Sequence, residues 1–72
     1  MDSKSKSDNF KRLAENRTNK IIRLVQLLGN LSNTSNYEYS DKQVEQIFKA
    51  IEDEVRIQKA KFQKSRNKQF KL

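Results

Sequence analysis

The chain has 72 residues, 33% apolar and 35% charged, with a formal net charge of +7. That length allows one small domain, and a lone helix pair of this composition has little core to bury. With no Cys and no His, disulfides and thiolate chemistry are excluded and a metal would have only carboxylates, a poor set for zinc; no Pro and one Gly favour long helices over a turn-rich β fold.

Residues 1–7 are polar and of low complexity, and are expected to form a disordered tail. The opening M-D-S-K-S-K-S-D has no apolar segment of the kind a signal peptide carries. Ser7 or Asp8 is expected to cap a first helix over 8–29. Within it Phe10, Leu13, Ala14, Arg17, Ile21, Leu24, Val25 and Leu28 recur at steps of three or four, the period of an amphipathic helix. Arg17 interrupts the stripe, but its aliphatic stem can pack while the guanidinium reaches out. Ile22 and Leu27 widen the apolar surface toward the helix end. The opposite face carries Arg12, Asn16, Asn19, Arg23 and Gln26 and no carboxylate.

A break is expected over 30–40. Gly29 is placed to end the first helix in the left-handed conformation, with Asn30 as a second candidate. The run L-S-N-T-S-N-Y-E-Y-S offers side-chain hydrogen bonds that compete with helix. Tyr37 and Tyr39 are expected to pack the turn against the helix ends. Ser40 and Gln43 have the spacing of a capping box, with Tyr39 and Val44 as its hydrophobic staple.

The second helix is expected over 41–66. Val44, Ile47, Phe48, Ile51, Val55 and Phe62 follow the helical period, with Gln58 completing the line. Glu45 and Lys49, and Glu52 and Arg56, are spaced for i,i+4 ion pairs. Residues 67–72 are expected to form a basic tail. The architecture this predicts is all-α: a two-helix antiparallel hairpin that dimerises into a four-helix bundle, through interface residues Leu24, Leu28, Ile47 and Ile51.

The charge is uneven. Over residues 1–55 nine Lys/Arg balance nine Asp/Glu, so the whole excess lies in residues 56–72, with seven Lys/Arg and no acid. Such asymmetry points to a polyanion. The candidate nucleic-acid-binding residues are Arg56, Lys59, Lys61, Lys64, Arg66, Lys68 and Lys71, helped by Arg12 and Arg23. In a continued helix Lys61, Lys64, Lys68 and Lys71 share one flank and can track a phosphate backbone. Phe62 and Phe70 would extend the packing seam or stack on a base. The same cations also suit a helix C-terminus and keep a small protein in solution.

No catalytic constellation is present: there is no His base, no Cys nucleophile and no glycine-rich phosphate loop. Glu52, Asp53 and Glu54 are consecutive, so in a helix they point in different directions and cannot converge on a metal. The expectation is therefore a non-enzyme with no cofactor and no metal. No apolar run approaches the roughly 20 residues that span a bilayer, so no membrane partner is expected and the predicted location is the cytoplasm.

The segment Arg17–Val55 resembles a short, uncharacterised helical-hairpin family of bacterial genomes and mobile elements. The likeness lies in L-x-x-L-G-N-L-S-N-x-S-N-Y-x-Y, followed by V-x-x-I-F-x-A-I-E. It implies a helical hairpin and a phage or plasmid origin, with no activity to assign to particular residues. In size the chain is also similar to plasmid-encoded helical hairpins that dimerise and bind RNA, an analogy of architecture. The predicted function is a small accessory or regulatory protein binding DNA or RNA, with a homodimer as its form. The alternative is a protein-binding inhibitor or adaptor of the anti-defence type, such as an anti-CRISPR, acting through a helical face or the Asn30–Tyr39 turn.

Overall fold

The computed structural model describes residues 3–66, with side chains over 4–63. Two α-helices and a short 3-10 helix make the fold all-α, with no strand among the described residues. Helix α1 spans Ser3–Gly29, the 3-10 helix spans Asn30–Ser32, and α2 spans Asp41–Arg66. The chain divides into two units, Met1–Glu38 and Tyr39–Leu72.

In the first unit, α1 begins at Ser3, inside the segment expected to be disordered, and runs through Ser7 and Asp8 rather than being capped by them. Lys4 and Lys6 are good helix formers and no Pro or Gly precedes Gly29, so nothing stops the helix from extending toward the N-terminus. The expected left-handed end is also absent. Gly29 is right-handed helical, at φ −61° and ψ −27°, and no described residue has positive φ. Instead the helix tightens into the 3-10 turn, whose i→i+3 bonds take up carbonyls that an abrupt end would orphan.

The helical path ends at Asn33, which is extended at φ −68° and ψ 102°. Its carbonyl accepts hydrogen bonds from the backbone N–H of Asn36 (3.2 Å) and Tyr37 (3.0 Å). Its side-chain Oδ1 accepts one from the Ser35 N–H at 3.0 Å. One asparagine thus organises the turn with both of its carbonyl oxygens, the local competition with helix that favours Asn in such places.

The second unit opens on a capping box. The Gln43 N–H donates to Ser40 Oγ at 3.1 Å, and the Ser40 N–H donates to Gln43 Oε1 at 2.8 Å. The Val44 N–H donates to the Ser40 carbonyl at 3.1 Å, closing the first turn of α2. Asp41 places a carboxylate in that turn, where the helix dipole favours it.

Each helix carries its apolar stripe largely in the open. On α1, Ala14 and Leu28 are half-buried, whereas Leu24 is 64% exposed. On α2, Val44 and Ile51 are half-buried, whereas Val55 is 56% exposed. Taken singly, neither unit holds a buried hydrophobic side chain among the described residues. No helix among the described residues is long and apolar enough to cross a membrane.

Candidate nucleic-acid interface

The last three turns of α2 carry the candidate site. After Glu54 the helix has no acid, and Arg56, Lys59 and Lys61 are exposed. At 100° per residue Arg56 and Lys59 lie on one flank of the polar face and Lys61 on the other. Lys64 and Arg66 belong to the same helix by their backbone. Lys68, Lys71, Phe70 and the expected tail 67–72 lie outside the described residues. The full lysine row is therefore represented by the Lys61–Lys64 step alone.

Arg56 differs from its neighbours. Its Nη1 donates to Asp53 Oδ1 at 3.1 Å, while Lys49 Nζ donates to Asp53 Oδ2 at 3.0 Å. The expected pairs, Glu45 with Lys49 and Glu52 with Arg56, give way to this shared carboxylate. Asp53 stands four residues after Lys49 and three before Arg56, so one short side chain reaches both. The Lys49 hydrogen bond holds the Asp53 carboxyl below its ordinary value, and Arg56 acts in the same sense against some desolvation. Among the cations after Val55 with described side chains, Lys59 and Lys61 stand outside any ion pair of the described residues.

Arg12 and Arg23 are exposed on α1. They share a face three turns apart, about 16 Å along the axis. They belong to the first unit and Arg56, Lys59 and Lys61 to the second. The expected interface residues form two pairs, Leu24 with Leu28 on α1 and Ile47 with Ile51 on α2, each a helical turn apart on one face.

Two features were not expected from the sequence. One is the Asp53 clamp; its signal was the Lys49–Asp53 spacing, which the longer glutamates obscured. The other is an open depression of about 480 Å³ lined by Tyr39, Gln43, Gln46 and Ile47. It joins an aromatic ring, two amides and an aliphatic side chain, chemistry that fits a protein surface better than a phosphate. Its signal was Tyr39 just before the cap, with Ile47 two turns into α2. Among the described residues no group of three or more His, Cys, Asp or Glu is placed to hold a metal ion.

Comparison with protein-family models, with curated proteins and with solved structures finds no match. The functional reading accordingly rests on this chain's own residues.

Proposed function

We propose that the chain is a small, non-enzymatic accessory or regulatory protein that binds DNA or RNA through the C-terminal end of α2. The observation that carries this reading is the segregation of charge: every acid lies at or before Glu54, and residues 56–72 hold the entire net +7. A run of cations along an exposed helix releases counterions from a phosphate backbone as it binds, which gives affinity without sequence readout. Removing residues 64–72 takes away Lys64, Arg66, Lys68 and Lys71. The truncated chain should bind duplex and single strands more weakly, with a shallower dependence of log K on log salt. Equal affinity and equal slope for both chains would exclude the tail as the site.

A protein-binding role, as an inhibitor or adaptor of the anti-defence type, is the second reading. It is favoured by the depression beside Tyr39 and Ile47 and by the exposed apolar stripes. A pull-down from nuclease-treated lysate separates the two: a stoichiometric protein that survives nuclease supports the second, and loss of every partner supports the first.

Self-association is part of the proposal. Stripes as open as those of Leu24 and Ile47 gain about 25 cal/mol for each Å² of apolar surface they remove from water. Light scattering at micromolar concentration tests it, and a well-folded monomer would overturn it. A cytoplasmic location and a phage or plasmid origin complete the reading, and the neighbourhood of the gene tests the latter.

A further inference from the structure

The apolar line of α2 has a second regularity. Phe48, Val55 and Phe62 recur every seven residues, and so do Val44, Ile51 and Gln58. Together they make the two core positions of a heptad over Val44–Phe62, the period at which two helices pack along one seam. All of them lie within α2, and Val55 and Phe62 are 56% and 60% exposed.

The charges beside that seam are ordered along the helix. On one flank, next to Ile51 and Gln58, stand Glu52 and then Lys59. On the other, next to Val55 and Phe62, stand Glu54 and then Lys61. Both flanks change sign from acid to base at the same level. The ion pairs within the described part of α2 use Lys49, Asp53 and Arg56, and leave Glu52, Lys59 and Lys61 outside them.

We infer that the occupant of this seam is α2 of a second copy, running antiparallel, so that the acidic flank of each helix meets the basic flank of the other. The register that matches these charges seats the Ile51–Phe62 part of the line in four layers and leaves Val44 and Phe48 outside them. Setting Ile51 of one copy across from Phe62 of the second also sets Val55 across from Gln58. The same register places Glu52 beside Lys59 of the second copy and Glu54 beside Lys61 of the second copy. The two-fold axis repeats each pair, so all four flanking contacts join opposite charges. A parallel pairing instead lays the two basic ends side by side and the two acidic halves together. Flanking charges of this kind set the orientation of paired helices.

Gln58 is the polar member of the seam, and such a residue favours one register over its neighbours. Its Nε2 donates to Glu54 Oε2 at 2.6 Å, so its amide keeps a partner when the seam closes. Helix α1 is a poorer occupant: it carries seven Lys/Arg against only Asp8 and Glu15, and has no acidic stretch to face the basic half of α2.

The inference rests on the self-association proposed above; it engages Lys59 and Lys61, so phosphate contact in the dimer falls to the other cations of residues 56–72. Because the chain has no cysteine, single thiols report cleanly. Full-length Ile51→Cys and Phe62→Cys chains are mixed and equilibrated in a glutathione redox buffer, with light scattering and circular dichroism on each. The expected result is a dimer whose mixed disulfide, Ile51→Cys to Phe62→Cys, exceeds both symmetric disulfides several-fold. A dimer dominated by symmetric disulfides, or by the mixture that random pairing gives, overturns the antiparallel seam while leaving self-association intact. A helical monomer overturns both, and assigns the stripe to α1 or to a different protein. Should either variant lose helicity, Glu52→Cys and Lys59→Cys with a short bis-maleimide make the same comparison at exposed flank positions. There too the mixed product is expected, and symmetric products overturn the inference.

Discussion

Ser40 and Gln43 exchange hydrogen bonds, each side chain accepting from the other's backbone N–H, at 3.1 and 2.8 Å. This pair fixes where α2 begins and separates it from the Asn33 turn. Ser40→Ala should destabilise α2 by about 1 kcal/mol, and Ser40→Asp should retain most of the stability because its carboxylate also accepts. Thermal melts followed by circular dichroism check this; equal melting of the wild-type and Ala chains would mean that the cap carries no energy.

Gly29 gives a prediction of unusual sign. It is right-handed helical, and a Cβ added there meets nothing within 4 Å. Gly29→Ala should therefore stabilise the end of α1, by about 0.4–1 kcal/mol, chiefly by reducing the freedom of the unfolded chain. A left-handed glycine would show the opposite sign, so one melting curve decides between the two ends.

Asp53 should make α2 sensitive to acid. Its carboxyl titrates below its ordinary value, because Lys49 and then Arg56 favour the charged form. A group depressed in the folded state contributes its stability above the unfolded value, about 3.9 for Asp. That contribution is lost as pH falls through the lower folded value. Helicity should thus decline on acidification below about 3.9, and Asp53→Asn should remove that part of the decline. A carbon-detected NMR titration of Asp53 reads the shift directly, and raising salt should reduce it because the site is exposed.

Leu24→Asp and Ile51→Asp each set a charge in an apolar stripe. Ile51→Asp should abolish association, since an unpaired carboxylate in the closed α2 seam is strongly unfavourable, and Leu24→Asp reads whether the α1 stripe shares that interface. Light scattering across a concentration series reads the outcome. Wild-type-like assembly of either variant would remove that stripe from the interface.

How much could be read in advance depended on how local the interactions were. The capping box and the start of α2 follow from side chains bonding backbone groups three residues away, and residue order alone reveals those; the break was expected from residue 30, whereas the helical path runs on to Ser32. The start of α1 was missed because Ser-Lys repeats carry no apolar period, although Lys supports helix without one. Gly29 was misread because glycine tolerates both hands, so its presence does not choose one. The cations of the candidate site were visible by count. Which carboxylate engages Arg56 was not: Glu52 and Asp53 are both in reach by spacing, and Asp53 is the one shared with Lys49.

The most direct test of the proposed function is the salt dependence of nucleic-acid binding by the full-length chain and by its Lys64→Gln, Lys71→Gln double variant, whose positions lie away from the α2 seam. The account predicts weaker binding by the variant on every sequence tried, with the slope of log K against log salt reduced by about 0.9 per lost phosphate contact on duplex DNA. An unchanged slope and affinity, with both chains equally helical, would contradict it.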